Sequence, residues 1–186
     1  MSDVKILGIP GSLRKGSYNR SLIRVAQQLL PSGTTLETFD LLGIPPFNED
    51  DEDKVPQKVT DLKAAIRRAD AILFATPEYN YSIPGVLKNA IDWASRPYGD
   101  SAWMGKPAAI MGASAGRMGT ARAQYHLRQV FVYLDMHVIN QPEVMVANAS
   151  EMFDEQGNLT HESSRKAIRG LLEALVARTR LIRTSR

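Results

Sequence analysis

The sequence predicts an α/β protein: a parallel sheet with helices on both faces. Three observations lead there. Strand-like and helix-like stretches alternate along the whole chain, the order that parallel strands with crossover helices require. Two strand-like stretches, Asp70–Thr76 (DAILFAT) and Lys106–Ala113 (KPAAIMGA), are almost wholly apolar, as strands covered on both sides must be. The stretches richest in turn formers and hydroxyl groups follow strands, the rim where open α/β sheets bind ligands.

Each element has its own signal. Val4–Pro10 (VKILGIP) is a short apolar run closed by turn residues, hence a strand. Tyr18–Leu30 carries Leu22, Val25, Ala26 and Leu29 at helical spacing, with Ser17 or Ser12 as the cap. Thr34–Leu41 alternates like a strand. Leu42–Lys54, with Pro45, Pro46 and the acidic run Glu49–Asp53, reads as a loop. Pro56 suits a helix start, and Val59, Leu62, Ala65, Ile66 and Ala69 follow at helical spacing. After the Asp70–Thr76 strand, a helix over Pro84–Ser95 opens at Pro84 or Gly85. Ser114–Gly119 is a loop after the Lys106–Ala113 strand. Thr120–Leu134 is helical, with Leu127, Val130, Phe131 and Leu134 on one face. His137–Val146 is a last extended segment broken near Pro142, and Thr160 to about Ile182 is a closing helix.

Composition narrows the function. The 186 residues, 44% hydrophobic and 23% charged, suit one domain over 1–186 with a core of its own. No apolar run approaches the ~18 residues of a membrane span. The first apolar stretch is cut by Pro10 and Gly11, unlike a secretory signal, so a cytoplasmic location is expected. With no cysteine and three scattered histidines (His126, His137 and His161), thiolate chemistry and a protein metal centre are not expected. The net charge of +3 comes largely from the C-terminal Arg165, Lys166, Arg169, Arg178, Arg180, Arg183 and Arg186. That run reads as a solvated helix face or a loose tail; no nucleic-acid motif accompanies it, and no nucleic-acid or membrane partner is expected.

Three loops carry the chemistry. The first, Gly11–Asn19, lacks both G-x-G-x-x-G and the lysine of a nucleotide-hydrolysing loop. What remains is a set of small and hydroxyl residues at a helix N-terminus, which attracts a phosphate. Ser12, Ser17 and Asn19 are candidate donors, and Arg14 adds charge. The second, Thr76–Gly85 (TPEYNYSIPG), is stiffened by two prolines and holds Glu78, Tyr79, Asn80 and Tyr81. A rigid loop presents main-chain N–H groups in fixed positions, as a flavin ring needs. The third, Gly112–Gly119, lets main chain approach a flat ligand closely.

The runs GSLRKGSYN, TPEYNYSIPGVLKNAIDW and YHLRQ resemble the NAD(P)H-dependent FMN reductase family, and within it the bacterial chromate and quinone reductases. The resemblance implies a flavodoxin-like three-layer sandwich with a five-stranded parallel sheet in the order 2-1-3-4-5, and noncovalent FMN. It implies that Ser12, Arg14, Ser17 and Asn19, with Tyr18 between them, hold the phosphate end. Pro77, Glu78, Tyr79 and Asn80 then line the ring and ribityl chain, largely through main-chain groups, and Ser114 and Gly116 close the other side. The implied reaction is ping-pong, with NADPH or NADH as donor and quinones, chromate, azo compounds or similar small molecules as acceptors. No side-chain acid or base is assigned. A homo-oligomer, dimer or tetramer, is also implied, with Arg122, Tyr125, Arg128 and Glu143 as a candidate interface network. The alternative is a non-enzymatic flavodoxin-type electron carrier; the basic charge favours direct use of an anionic nicotinamide instead.

Overall fold

The computed structural model describes residues 3–184; Arg186, counted above among the basic residues, lies outside them. Five parallel strand positions stand in the order 2-1-3-4-5, with β1 (Val4–Pro10) and β3 (Ala71–Ala75) at the centre. β2 (Thr34–Thr38) is the edge beside β1, and β4 (Pro107–Ala113) follows β3. The fifth position holds two short strands, β5 (His137–Val138) and β6 (Val144–Val146), both paired to β4. The break falls around Pro142, which has no N–H to donate to a ladder.

Side chains alternate across the central strands and so build two cores. Ile6, Leu73 and Met111 face α1 (Tyr18–Gln28) and α6 (Glu162–Thr184), meeting Leu22, Val25, Leu171 and Leu175. Leu7, Phe74 and Ile110 face the other way, toward α2 (Gln57–Arg68), α3 (Gly85–Ala94) and α4 (Ala121–Tyr133), meeting Leu62, Leu87, Leu127 and Phe131. Trp93 belongs to the interior, and its indole N–H donates to Pro45 O at 2.9 Å.

Several boundaries differ from the sequence reading. β2 ends at Thr38 rather than Leu41: Phe39 N still donates to Gly8 O of β1 at 3.0 Å, and beyond it Leu42 N turns back to Asp40 Oδ1. α1 ends at Gln28, not Leu30. The acidic run expected in a loop forms a 3-10 helix over Glu49–Lys54, capped by Asn48. Glu49 and Glu52 both pair with Arg96, which draws that turn onto the end of α3. A short helix, α5 (Ala149–Met152), was not foreseen. The basic C-terminal helix is solvated on one side, but Arg183 pairs with Asp70 and binds Asp3 O.

Candidate functional site

The parallel order brings the ends of β1, β3 and β4 to one rim, so the three unusual loops meet there. The β1–α1 loop comes first. Ser17 is the N-cap of α1, its Oγ accepting from Asn19 N at 3.2 Å. Ser12 is buried; its Oγ accepts from Arg14 N and lies 3.3 Å from the Tyr79 hydroxyl of the second loop. Among the described residues, the main-chain N–H groups of Ser12, Leu13, Gly16 and Tyr18 meet no acceptor. Such a nest of donors at the positive end of a helix suits an anion.

Asn19 ties the start of α1 to β4. It is almost fully buried, its Nδ2 donates to Ala113 O at 3.0 Å, and its Oδ1 accepts from Ala113 N at 2.9 Å. The amide thus completes the end of β4 like a neighbouring strand, with one of its two Nδ2 hydrogens taken up there. The Tyr18 ring packs against Phe153, centroids 5.1 Å apart, with the Arg14 guanidinium 5.9 Å from its centroid on the loop side. Arg14 is exposed and donates to Gly16 O at 2.6 Å, which folds its side chain along its own loop.

The second loop is a two-residue reverse turn. Tyr79 and Ser82 exchange N–H···O bonds of 3.0 Å in both directions. The residues between them, Asn80 (φ 49°) and Tyr81 (φ 68°), are both left-handed. Asparagine tolerates that region; a bulky tyrosine there is strained. The Tyr79 N–H is thus taken up within the turn, and the residue offers its ring, its hydroxyl and the second lone pair of its carbonyl. The N–H groups of Glu78, Asn80 and Tyr81 meet no acceptor among the described residues. Pro77 is buried, and its carbonyl accepts from Thr76 Oγ1 at 2.9 Å.

What holds the strained turn is α4. The Glu78 side chain is 7% exposed and accepts from Arg122 Nε at 2.6 Å and from Ala123 N at 3.1 Å. Burial pushes the Glu78 carboxyl up, but these donors outweigh burial and hold it below the usual carboxylate range. The Arg122 guanidinium also lies over the Tyr81 ring, 3.6 Å from its centroid. Ser82 Oγ adds a 2.9 Å hydrogen bond with His126 Nδ1.

The third loop closes on itself. Ser114 Oγ accepts from Gly116 N at 3.1 Å, and Ser114 N donates to Val146 O. The Ser114 and Gly116 N–H groups are therefore taken up within the protein; those of Ala115 and Arg117 meet no acceptor among the described residues. Gly112 sits where β4 passes the second loop. A Cβ there would lie 1.9 Å from Thr120 Oγ1 and 2.5 Å from Thr76 O.

Arg20, Asp40 and Arg122 are parts of this frame that the sequence reading did not assign to it. Arg20 Nε donates to Ser12 O at 3.1 Å while its other nitrogen binds both Asp40 oxygens, at 2.9 and 3.0 Å. The four residues considered as one network resolve into separate pairs in the monomer. Tyr125 donates to Glu143 Oε1 at 3.0 Å, which holds the phenol above its ordinary pKa, and Arg128 donates to Ile139 O and Asn140 Oδ1.

The donor set fits a flavin mononucleotide. Unpaired N–H groups and hydroxyls at the α1 N-terminus match a phosphate dianion, and a second row of N–H groups on a fixed turn matches the polar edge of a ring. Among the described residues no helix is long and apolar enough to cross a membrane, and no cluster of three metal-ligating side chains occurs.

Comparison with known proteins points the same way. The family model for NADPH-dependent FMN reductase matches residues 4–151. An NAD(P)H-dependent FMN reductase of Pseudomonas aeruginosa is 55% identical over 182 residues, covering 97% of this chain and 98% of that protein. A 2-hydroxy-1,4-benzoquinone reductase of Burkholderia sp is 43% identical over 174 residues, covering 94% and 95%. Among solved structures, the flavoenzyme NAD(P)H:(acceptor) oxidoreductase FerB of Paracoccus denitrificans superposes with a TM-score of 0.87 at 37% identity, covering 95% of this chain and 97% of that one.

Proposed function

This chain belongs to the NADPH-dependent FMN reductase family, and we propose that its three-loop rim binds FMN and serves an NAD(P)H-dependent oxidoreductase acting on quinone-type acceptors. The observation that carries the site assignment is the row of unpaired N–H groups on three loops fixed to one another. When bound, flavin supplies the redox chemistry, taking hydride from a nicotinamide and delivering reducing equivalents to the acceptor. The protein's part is binding and placement.

At the phosphate end, Ser12 and Ser17 offer hydroxyls, Leu13, Gly16 and Tyr18 offer N–H groups, and Arg14 offers charge from the exposed side. Asn19 acts as a positioning residue by tying α1 to β4. On the ring side, Glu78 and Asn80 contribute N–H groups, Pro77 and Tyr79 contribute walls, and the loop at Ser114–Gly116 faces them. The Glu78 carboxylate points to α4 and not to the ring, so no side-chain base is assigned.

The surface supports self-association. Tyr81, Tyr125, Val132 and Tyr133 are 67%, 54%, 82% and 78% exposed on or beside α4, an aromatic face that suits a second copy of this chain. A homodimer or tetramer is expected by light scattering.

The test of function is direct. Purified protein is expected to carry or take up FMN, to lose its flavin absorbance on anaerobic addition of NADPH or NADH, and to regain it with a benzoquinone. Arg14→Ala and Ser12→Ala are each expected to weaken FMN binding at least tenfold without unfolding the chain. Unchanged FMN affinity in both variants overturns the assignment of the first loop.

A further inference from the structure

A second cleft opens on the far side of the first loop. This cavity between α1 and the turn after β2 measures ≈ 410 Å³. Ser12 marks the boundary. Its hydroxyl faces Tyr79 and the rim site, while its carbonyl accepts from Arg20, which lines the cleft. The cleft is thus next to the proposed flavin site but not part of it.

Its chemistry is two-sided. Pro10 and Ile23 form an apolar floor, and Leu13 and Leu42, 39% and 64% exposed, stand as apolar lips. Around them are Lys15, Arg20, Arg24 and Asp40. Arg20 and Asp40 neutralise each other. Lys15 and Arg24 have no carboxylate partner among the described residues; Arg24 only donates to Ser21 Oγ at 2.8 Å. Two cations therefore remain uncompensated beside an apolar slot. A flat base between the leucines, carrying a phosphomonoester dianion, satisfies both demands.

We propose that this cleft receives the 2′-phosphoadenosine end of NADPH, and that Lys15 and Arg24 select NADPH over NADH. A nicotinamide at the rim and an adenosine in the cleft then straddle the first loop, with Asp40, just beyond β2, beside the ribose. The proposal rests on the reading that NAD(P)H is the donor.

The experiment is calorimetric titration of the purified protein with 2′,5′-ADP and with 5′-AMP, repeated on the double variant Lys15→Ala/Arg24→Ala. Both side chains are exposed, so folding is expected to survive. Wild type is expected to bind 2′,5′-ADP at least tenfold more tightly than 5′-AMP, and the variant to lose that preference. In the flavin-loaded protein, kcat/KM for NADPH is expected to fall at least tenfold in the variant. The value for NADH and the affinity for FMN stay within twofold. Equal binding of the two nucleotides by wild type overturns the proposal. So does an equal fall for both donors, or an FMN affinity that falls in step, which would assign the cleft to FMN. If neither donor reduces the flavin, the functional reading fails, and the titration still decides whether the cleft binds a phosphorylated adenosine.

Discussion

Asn19 and Ala113, 94 residues apart, exchange two hydrogen bonds that a side-chain amide and a main-chain peptide make in both directions. That pair fixes the start of α1 to the end of β4, and so sets the first loop against the third. Both partners are buried, and a peptide group left unpaired there has no water to replace the amide.

Asn19→Ala is therefore expected to destabilise the fold by about 2–4 kcal/mol, since the Ala113 N–H and C=O would both be left unsatisfied. Urea denaturation reads the loss. FMN affinity is expected to fall as well, because the first loop loses its tie to β4. A wild-type midpoint for Asn19→Ala would show that the pair does not hold the loops together.

The Glu78 carboxylate gives a pH dependence. Its pKa in the folded chain lies below the unfolded one, so it stabilises the fold fully above the unfolded value. That stability is lost as pH falls through the depressed folded value, and no slope from this group is expected at neutral pH. In denaturation series from pH 7 to pH 3, Glu78→Gln is expected to start lower at pH 7 and to lose less on acidification. Parallel curves for the variant and wild type would remove Glu78 from the acid limb.

Much of this was readable before the structure. The alternation of elements gave the parallel sheet, because apolar runs such as AILFA have no amphipathic period and must be buried on both faces. The residues of the three loops were visible as departures from that plain pattern. What could not be read is who partners whom. Asn19 in a hydroxyl-rich loop looks like a phosphate donor, and only tertiary pairing reveals that its amide also binds Ala113. Likewise, Glu78 next to two tyrosines gives no hint of a helix N-terminus 45 residues later. The strained turn was hidden because asparagine followed by tyrosine lacks the glycine that marks such turns.

The strain at Tyr81 is separable from its stacking on Arg122. Tyr81→Gly and Tyr81→Val both remove the ring, but only valine keeps a branched side chain at a φ of 68°. Valine is expected to be the less stable of the two by about 1–2 kcal/mol. Thermal denaturation of the pair checks this. Equal stabilities would show that the turn relaxes freely out of its left-handed form.

Gly112 gives the sharpest steric prediction. A methyl group there meets Thr120 Oγ1 at 1.9 Å and Thr76 O at 2.5 Å, and neither is the end of a long flexible side chain. Thr120 is buried and left-handed, with a φ of 75°, so it has little room to withdraw. Gly112→Ala is therefore expected to cost about 1–3 kcal/mol, by forcing β4 and the second loop apart. Because the third loop continues from β4, FMN affinity should fall in the same variant. Adding Thr120→Gly removes the nearer clash and supplies a residue that accepts a positive φ, but leaves the Thr76 carbonyl in place. The double variant is expected to recover part of the stability and not all of it. Full recovery would mean that the Thr76 contact yields easily, and no recovery would mean that the carbonyl alone sets the limit on residue size at position 112.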